Sequence, residues 1–220
     1  MFERAALARI LPFVTYLLFI FIADMLGRLG YAPQDLRWLY GVKIGCVVVL
    51  LWLFRREYGE LAVARPSWPV LAGAVLTGIV ILLLWLRLDA PWMVIGDSAG
   101  FDPRTDGSID YLLAAVRIAG AALVVPLMEE LFWRSYLMRW LTRPDFLEVD
   151  PRRVTCVAFV VTVILFGFEH NLWFAGVVAG AAYSLLYMCN RNIWSPILAH
   201  AVTNGLLGIW VLTTAHWSYW

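Results

Sequence analysis

The chain has 220 residues, 62% of them hydrophobic and only 15% charged, with a formal net charge of +1. An ordinary soluble domain runs about 45–50% apolar and about 25% charged, so this composition excludes a sizeable soluble domain, a disordered chain and a collagen-like repeat. A nucleic-acid partner would need a clustered basic face, and the charge balance supplies none.

A membrane-crossing helix takes about 20 mostly apolar residues; seven would use about 140 and leave about 80 for loops and termini. The first apolar run, Ile10 to Leu26, follows a short head with Arg4 and Arg9. It resembles a signal peptide, but no small-residue cleavage site follows and Asp24 interrupts its end, so it reads as a retained span. The second runs from Leu39 to Phe54 around Lys43, and the third from Trp68 to Leu86. The segment Arg87 to Ser108, with Asp89, Asp97, Asp102, Asp106 and several glycines, reads as a loop.

Next comes Ile109 to Leu141, too long for one plain crossing, with Pro126 expected to kink it because proline removes a backbone donor. The fifth, sixth and seventh spans are Val154 to Phe168, Phe174 to Met188 and Ile193 to Leu212. The expected fold is all-α, a polytopic membrane helical bundle of seven transmembrane helices, or eight if Pro126 splits the fourth stretch. It forms one integral membrane domain over 1–220, with accessory spans and an outer loop in 1–108 and the motif-bearing helices in 109–212.

Nine arginines (Arg4, Arg9, Arg55, Arg56, Arg65, Arg143, Arg152, Arg153 and Arg191) fall in segments on one side, and four (Arg28, Arg37, Arg87, Arg104) on the other. The excess sets the N-terminus in the cytoplasm. Most of the tryptophans lie near span ends, where the indole sits at headgroup level. Gly176 and Gly180 form a small-residue face suited to close helix packing. Cys46, Cys156 and Cys189 match no metal or redox spacing and read as small buried hydrophobes.

Ionisable groups inside a membrane cost about 2.5–3.5 kcal/mol each on insertion scales, so each requires a reason. Glu130 and Arg134 are four apart and share a helix face. Glu129 is turned by about 100° from Glu130 and faces a different neighbour. Two adjacent acids in separate environments carry separate roles, which makes Glu130–Arg134 structural and Glu129 functional. Phe166 and His170 are also four apart, so the phenyl ring walls one side of the imidazole; Glu169 points elsewhere and reads as solvated. His200 and Asn204 repeat the spacing and offer two donors suited to a developing oxyanion. Each pair alone reads as interhelical glue; the three together do not.

The set Glu129-Glu130…Arg134, Phe166…His170 and His200…Asn204, each on its own hydrophobic helix, resembles the CPBP family of CAAX-protease and bacteriocin-processing proteins, also called Abi. The resemblance covers roughly Val124 to Trp210. It implies an intramembrane glutamate-dependent endopeptidase in which Glu129 with His170 activates water, His200 and Asn204 form the oxyanion site, and Glu130, Arg134 and Phe166 support them. Gly100-Phe101-Asp102-Pro103 and the run Val125 to Ser135 further resemble the exosortase-associated branch. That branch implies a bacterial cytoplasmic membrane, a sorting system as partner and a membrane-associated protein or peptide as substrate. No cofactor is expected. Zinc on Glu129, His170 and His200 is the runner-up, although no HExxH is present. A scaffold or immunity-like partner is the non-enzymatic alternative, and a proton-coupled transporter a weaker third. Counting along the helices sets Glu129, His200 and His170 at depths of about 20, 12 and 26 Å, which one site would have to reconcile.

Overall fold

The computed structural model describes residues 3–63, 66–96, 98 and 100–220; Arg65 and Asp97, used above for orientation and for the loop, lie outside the described residues. The described chain is almost wholly helical. Its helices are α1 (Arg4–Arg28), α2 (Trp38–Leu53), α3 (Trp68–Trp85), α4 (Tyr111–Trp140), α5 (Cys156–Phe168), α6 (Trp173–Asn190) and α7 (Trp194–Thr214). Among the described residues six of these are long and apolar enough to cross a membrane, and α5 is a shorter apolar helix. A helical membrane bundle is the fold class.

Apolar side chains such as Leu76, Leu83, Leu123 and Val157 lie exposed along the helices. The cysteines follow the same rule and depart from expectation: Cys156 and Cys189 are exposed and Cys46 half-buried. In a membrane protein an apolar run marks contact with lipid as readily as a protein core, because lipid tails are as apolar as leucine.

Two compact units divide the chain, and α4 and α7 contribute to both. The first comprises Met1–Tyr58, Ser98–Met128 and Asn204–Trp220. Here Lys43 of α2 sits 3.9 Å from the Tyr16 ring of α1. Glycine permits α2 to approach the first half of α4 closely, since a Cβ on Gly120 would stand 2.5 Å from the Tyr40 hydroxyl. The polar loop expected from its aspartates and glycines folds into a small hairpin, β1 (Arg104–Thr105) against β2 (Ser108–Ile109). Asp106 and Gly107 turn it with φ of 51° and 80°, the left-handed values that Asp-Gly hairpin turns adopt. Asp110 then caps α4 by accepting from the Leu112 and Leu113 amides.

Pro126 does not divide α4, which runs as one helix of 30 residues. The local accommodation is a π-helical stretch, Gly120–Val124, directly before the proline. A second follows at Leu131–Leu137.

The second unit comprises Gly59–Asp97 and Glu129–Thr203. In it α5 packs closely against α6, where a Cβ on Gly176 would lie 3.0 Å from the Gly167 Cα and one on Gly180 would lie 3.0 Å from the Phe166 ring. The 13 residues of α5 rise about 20 Å, against about 30 Å for a hydrocarbon core. Irregular backbone beside so short an apolar helix needs protein partners. It has them: Ile95 and Asn171 exchange bonds of 2.8 and 3.0 Å, and the Trp173 indole donates to the Trp92 carbonyl at 3.0 Å.

Candidate active site

Six of the seven residues singled out in the sequence (Glu129, Glu130, Arg134, Phe166, His170 and His200) belong to the second unit, and Asn204 belongs to the first. Three helices and one turn supply the six. The last half of α4 carries Glu129, Glu130 and Arg134; α5 carries Phe166; His170 follows in the turn after it; and α7 carries His200.

Glu130 and Arg134 have no exposed surface, and Glu129 is 3% exposed. Charges so buried are retained only when paired and hydrogen-bonded. Arg134 donates from Nη1 to Glu130 Oε1 at 3.2 Å, and its Nε stands 3.2 Å from Oε2. A second donation, from Nη2, reaches the Gly180 carbonyl at 3.2 Å. The guanidinium also lies 4.2 Å from the Phe166 ring centroid, a cation–π contact strengthened by desolvation. The glycine at 180 lets α6 bring its backbone this close to α5.

His200 departs from the sequence expectation in its partner. Its Nδ1 lies 2.9 Å from Glu130 Oε1, on the carboxylate assigned above to Arg134 alone. Glu130 is thus shared by a guanidinium and an imidazole. The His200 ring is stacked on Tyr183, with centroids 5.0 Å apart and planes 20° from parallel, and presents its edge to Phe166 at 6.1 Å. Tyr183 is in turn fixed by donating to Thr203 at 2.8 Å. Because Nδ1 faces the carboxylate, Nε2 is the nitrogen on the opposite side of the ring.

His170 is oriented by the backbone. Its Nδ1 lies 2.9 Å from the Phe166 carbonyl oxygen. A carbonyl only accepts, so Nδ1 carries the proton and Nε2 of the neutral ring is an acceptor. Phe166 stands 4.9 Å from the ring and Trp85 meets it edge-on at 5.3 Å. The two histidines, unequal in depth when counted along their helices, therefore flank the same phenyl ring. The reason is that α5 stops at Phe168, leaving His170 in a turn rather than further along a helix.

Glu169 also differs from expectation. Instead of facing solvent alone, its Oε2 accepts from the Trp133 indole at 3.0 Å. Trp133, Tyr183 and Trp85 also touch this cluster and were not singled out in the sequence. Two had a signal: Trp133 lies one turn from Glu129, and Tyr183 one turn from Gly180 on the small-residue face. Trp85 had none, because its contact with His170 joins segments far apart in the chain.

Asn204 donates from Nδ2 to the Ala121 carbonyl at 2.9 Å, both residues being in the first unit. Among the described residues no group of three or more His, Cys, Asp or Glu is placed to hold a metal ion. Ser195 donates to the Asn192 carbonyl at 2.8 Å.

Residues 111–206 match the profile of the family described as type II CAAX prenyl endopeptidase Rce1-like. No curated protein and no solved structure matches the chain. The matched segment is just under half of the chain; it opens where α4 opens and contains Glu129, Glu130, Arg134, Phe166, His170, His200 and Asn204. Over that segment the chain is similar to the Rce1-like type II CAAX prenyl endopeptidases, and its long apolar helices mark a multi-pass membrane protein.

Proposed function

We propose that the protein is an intramembrane glutamate endopeptidase that hydrolyses peptide bonds of membrane-associated proteins or peptides without a metal. The observation that carries this reading is the convergence of His170 and His200 on the Phe166 ring, at 4.9 and 6.1 Å, beside the buried Glu130–Arg134 pair. Glu130 is committed to Arg134 and His200, which gives the water-activating role to Glu129. Water attacks the scissile carbonyl carbon as its proton passes to the Glu129 carboxylate. The acceptor Nε2 of His170 shares that proton, and general-base help of this kind contributes about 10²–10⁴-fold. The tetrahedral oxyanion is met by His200 in its doubly protonated form, in which the nitrogen remote from Glu130 also carries a proton to donate. Collapse breaks the C–N bond, and the amine leaves with the proton returned from Glu129.

The resemblance pairs Asn204 with His200 as oxyanion donors; of its two N–H donors the Asn204 carboxamide gives one to the Ala121 carbonyl, which leaves the other for that role. The arginine distribution supports a cytoplasmic N-terminus, and the extended resemblance supports a bacterial inner membrane and a sorting system of exosortase type as the source of substrates.

The test is a comparison of protein termini in host membranes between the wild type and a chromosomal Glu129→Gln variant at matched expression. Ends found only in the wild type support the endopeptidase and identify substrates for direct cleavage. Identical termini would refute it and favour a scaffold.

A further inference from the structure

A groove of 480 Å³ runs between α3 and α6, both in the second unit, and falls within the about 300–1,000 Å³ of small-molecule sites. Val70 and Thr77 of α3 and Leu185 and Leu186 of α6 line it. Thr77 donates its hydroxyl to the Gly73 carbonyl at 2.8 Å, so that proton is already bonded within α3. The two helices run antiparallel. The Trp85 ring at the end of α3 meets His170 just ahead of α6, and the Trp92 carbonyl beyond α3 receives the Trp173 indole at the start of α6. Pro69 and Asn190 therefore mark one end of the groove, and Thr77 and Ala182 the other. Each wall rises about 12 Å along its helix, close to the roughly 15 Å of hydrocarbon in one leaflet.

The end at Pro69 and Asn190 is basic. Arg191 follows Asn190 directly, and Arg152 donates from Nη2 to the carbonyl of Cys189, a groove residue, at 3.1 Å. Both arginines are exposed, and Arg191 pairs with Asp150 at 2.9 Å. A guanidinium has five N–H donors, so each keeps several beyond these bonds. The exposed Trp68, one residue before Pro69, marks the same end as headgroup level, where indoles collect.

We propose that this groove binds one anionic phospholipid, with an acyl chain lying between α3 and α6 and the phosphate at Arg152 and Arg191. The length of the groove fits a chain that enters from one leaflet, and the apolar walls give a soluble anion nothing to bind. A zwitterionic lipid fills the groove equally well, but its cation meets the same arginines, so they select for net negative charge. Two unpaired arginines would favour an anionic headgroup by about thirtyfold. Asp150 beside Arg191 reduces the expected preference to about tenfold. The inference stands whether or not the chain is a protease.

The experiment offers the full chain, stripped of lipid in detergent, dioleoyl phosphatidylglycerol or dioleoyl phosphatidylcholine and counts bound lipid by native mass spectrometry. Wild type is expected to hold one phosphatidylglycerol at a concentration about tenfold lower than it needs for phosphatidylcholine. Arg152→Gln with Arg191→Gln should remove that preference and leave the weaker binding. Gly73→Leu puts a side chain into the groove and should abolish the single bound lipid in both cases. A Cβ at Gly73 meets nothing within 4 Å, and Gly45→Leu, on equally open ground in α2, is the control for an added leucine.

Equal affinity of the wild type for the two lipids overturns the proposal. A preference that survives loss of both arginines does so as well, because the headgroup would then lie elsewhere. Undiminished binding to Gly73→Leu overturns the placement of the chain in the groove. Displacement of the lipid by an equal concentration of glycerol phosphate would leave only a surface anion site and is a further refutation. Should the arginine variant fail to accumulate, Gly73→Leu and the glycerol phosphate competition decide.

Discussion

Arg134→Met isolates the buried ion pair from the chemistry. The substitution removes both contacts to Glu130, at 3.2 Å each, the donation to the Gly180 carbonyl and the cation over Phe166. Glu130 keeps zero exposure and retains His200 at 2.9 Å. Breaking a buried pair by removing one partner costs about 3–5 kcal/mol, because an uncompensated charge stays inside. The remaining imidazole offsets part of this, which places the expected loss near the lower end, about 3 kcal/mol. At about 2–4 °C per kcal/mol for a chain of this size, Tm falls by about 6–12 °C.

Removing both charges gives the control. Glu130→Gln with Arg134→Met leaves no buried charge of that pair, and replacing a buried pair by neutral groups of similar volume is often nearly neutral. The double variant should therefore recover most of the lost Tm. The 12 tryptophans provide a fluorescence signal for unfolding in detergent. A single variant within about 1 °C of wild type, or a double variant no better than the single, would refute the assignment of Arg134 as the counter-ion that keeps Glu130 in place.

Gly176→Leu should destabilise by about 1–3 kcal/mol through overpacking, because a Cβ there already lies 3.0 Å from Gly167 and 3.3 Å from His170 Nδ1. Gly45→Ala, with nothing within 4 Å, serves as the neutral comparison, and equal Tm values for the two variants would contradict the packing argument. In the loop, Arg104 donates to the Asp102 carboxylate and holds its pKa below the ordinary 3.8. A depressed folded pKa contributes stability above the unfolded value and loses it as pH falls through the folded one. Asp102→Asn should accordingly flatten the acid limb of Tm against pH below about 4, by a small amount because the pair is part-exposed; an unchanged limb counts against the pairing. Cleavage should persist after exhaustive chelation, and activity that returns only on adding zinc would replace the metal-free reading with the runner-up.

The sequence by itself determined the class and the ingredients. Its apolar excess and seven long runs left no alternative to a membrane helical bundle, since only helices or closed barrels satisfy their backbone in lipid. Helical spacing put Glu130 beside Arg134 and His200 one turn from Asn204, because i and i+4 share a face; Phe166 meets His170 although the helix ends between them. What lies between helices was beyond that arithmetic. That His200 shares Glu130 with Arg134, that Glu169 accepts from Trp133, and that Asn204 reaches Ala121 are contacts between segments 36 to 83 residues apart. Periodicity carries no information about which face of one helix meets which face of another. Only the tertiary structure decided them, through glycines at 167, 176 and 180 that let backbones approach, and through π-helical turns that change the register a regular helix would have kept.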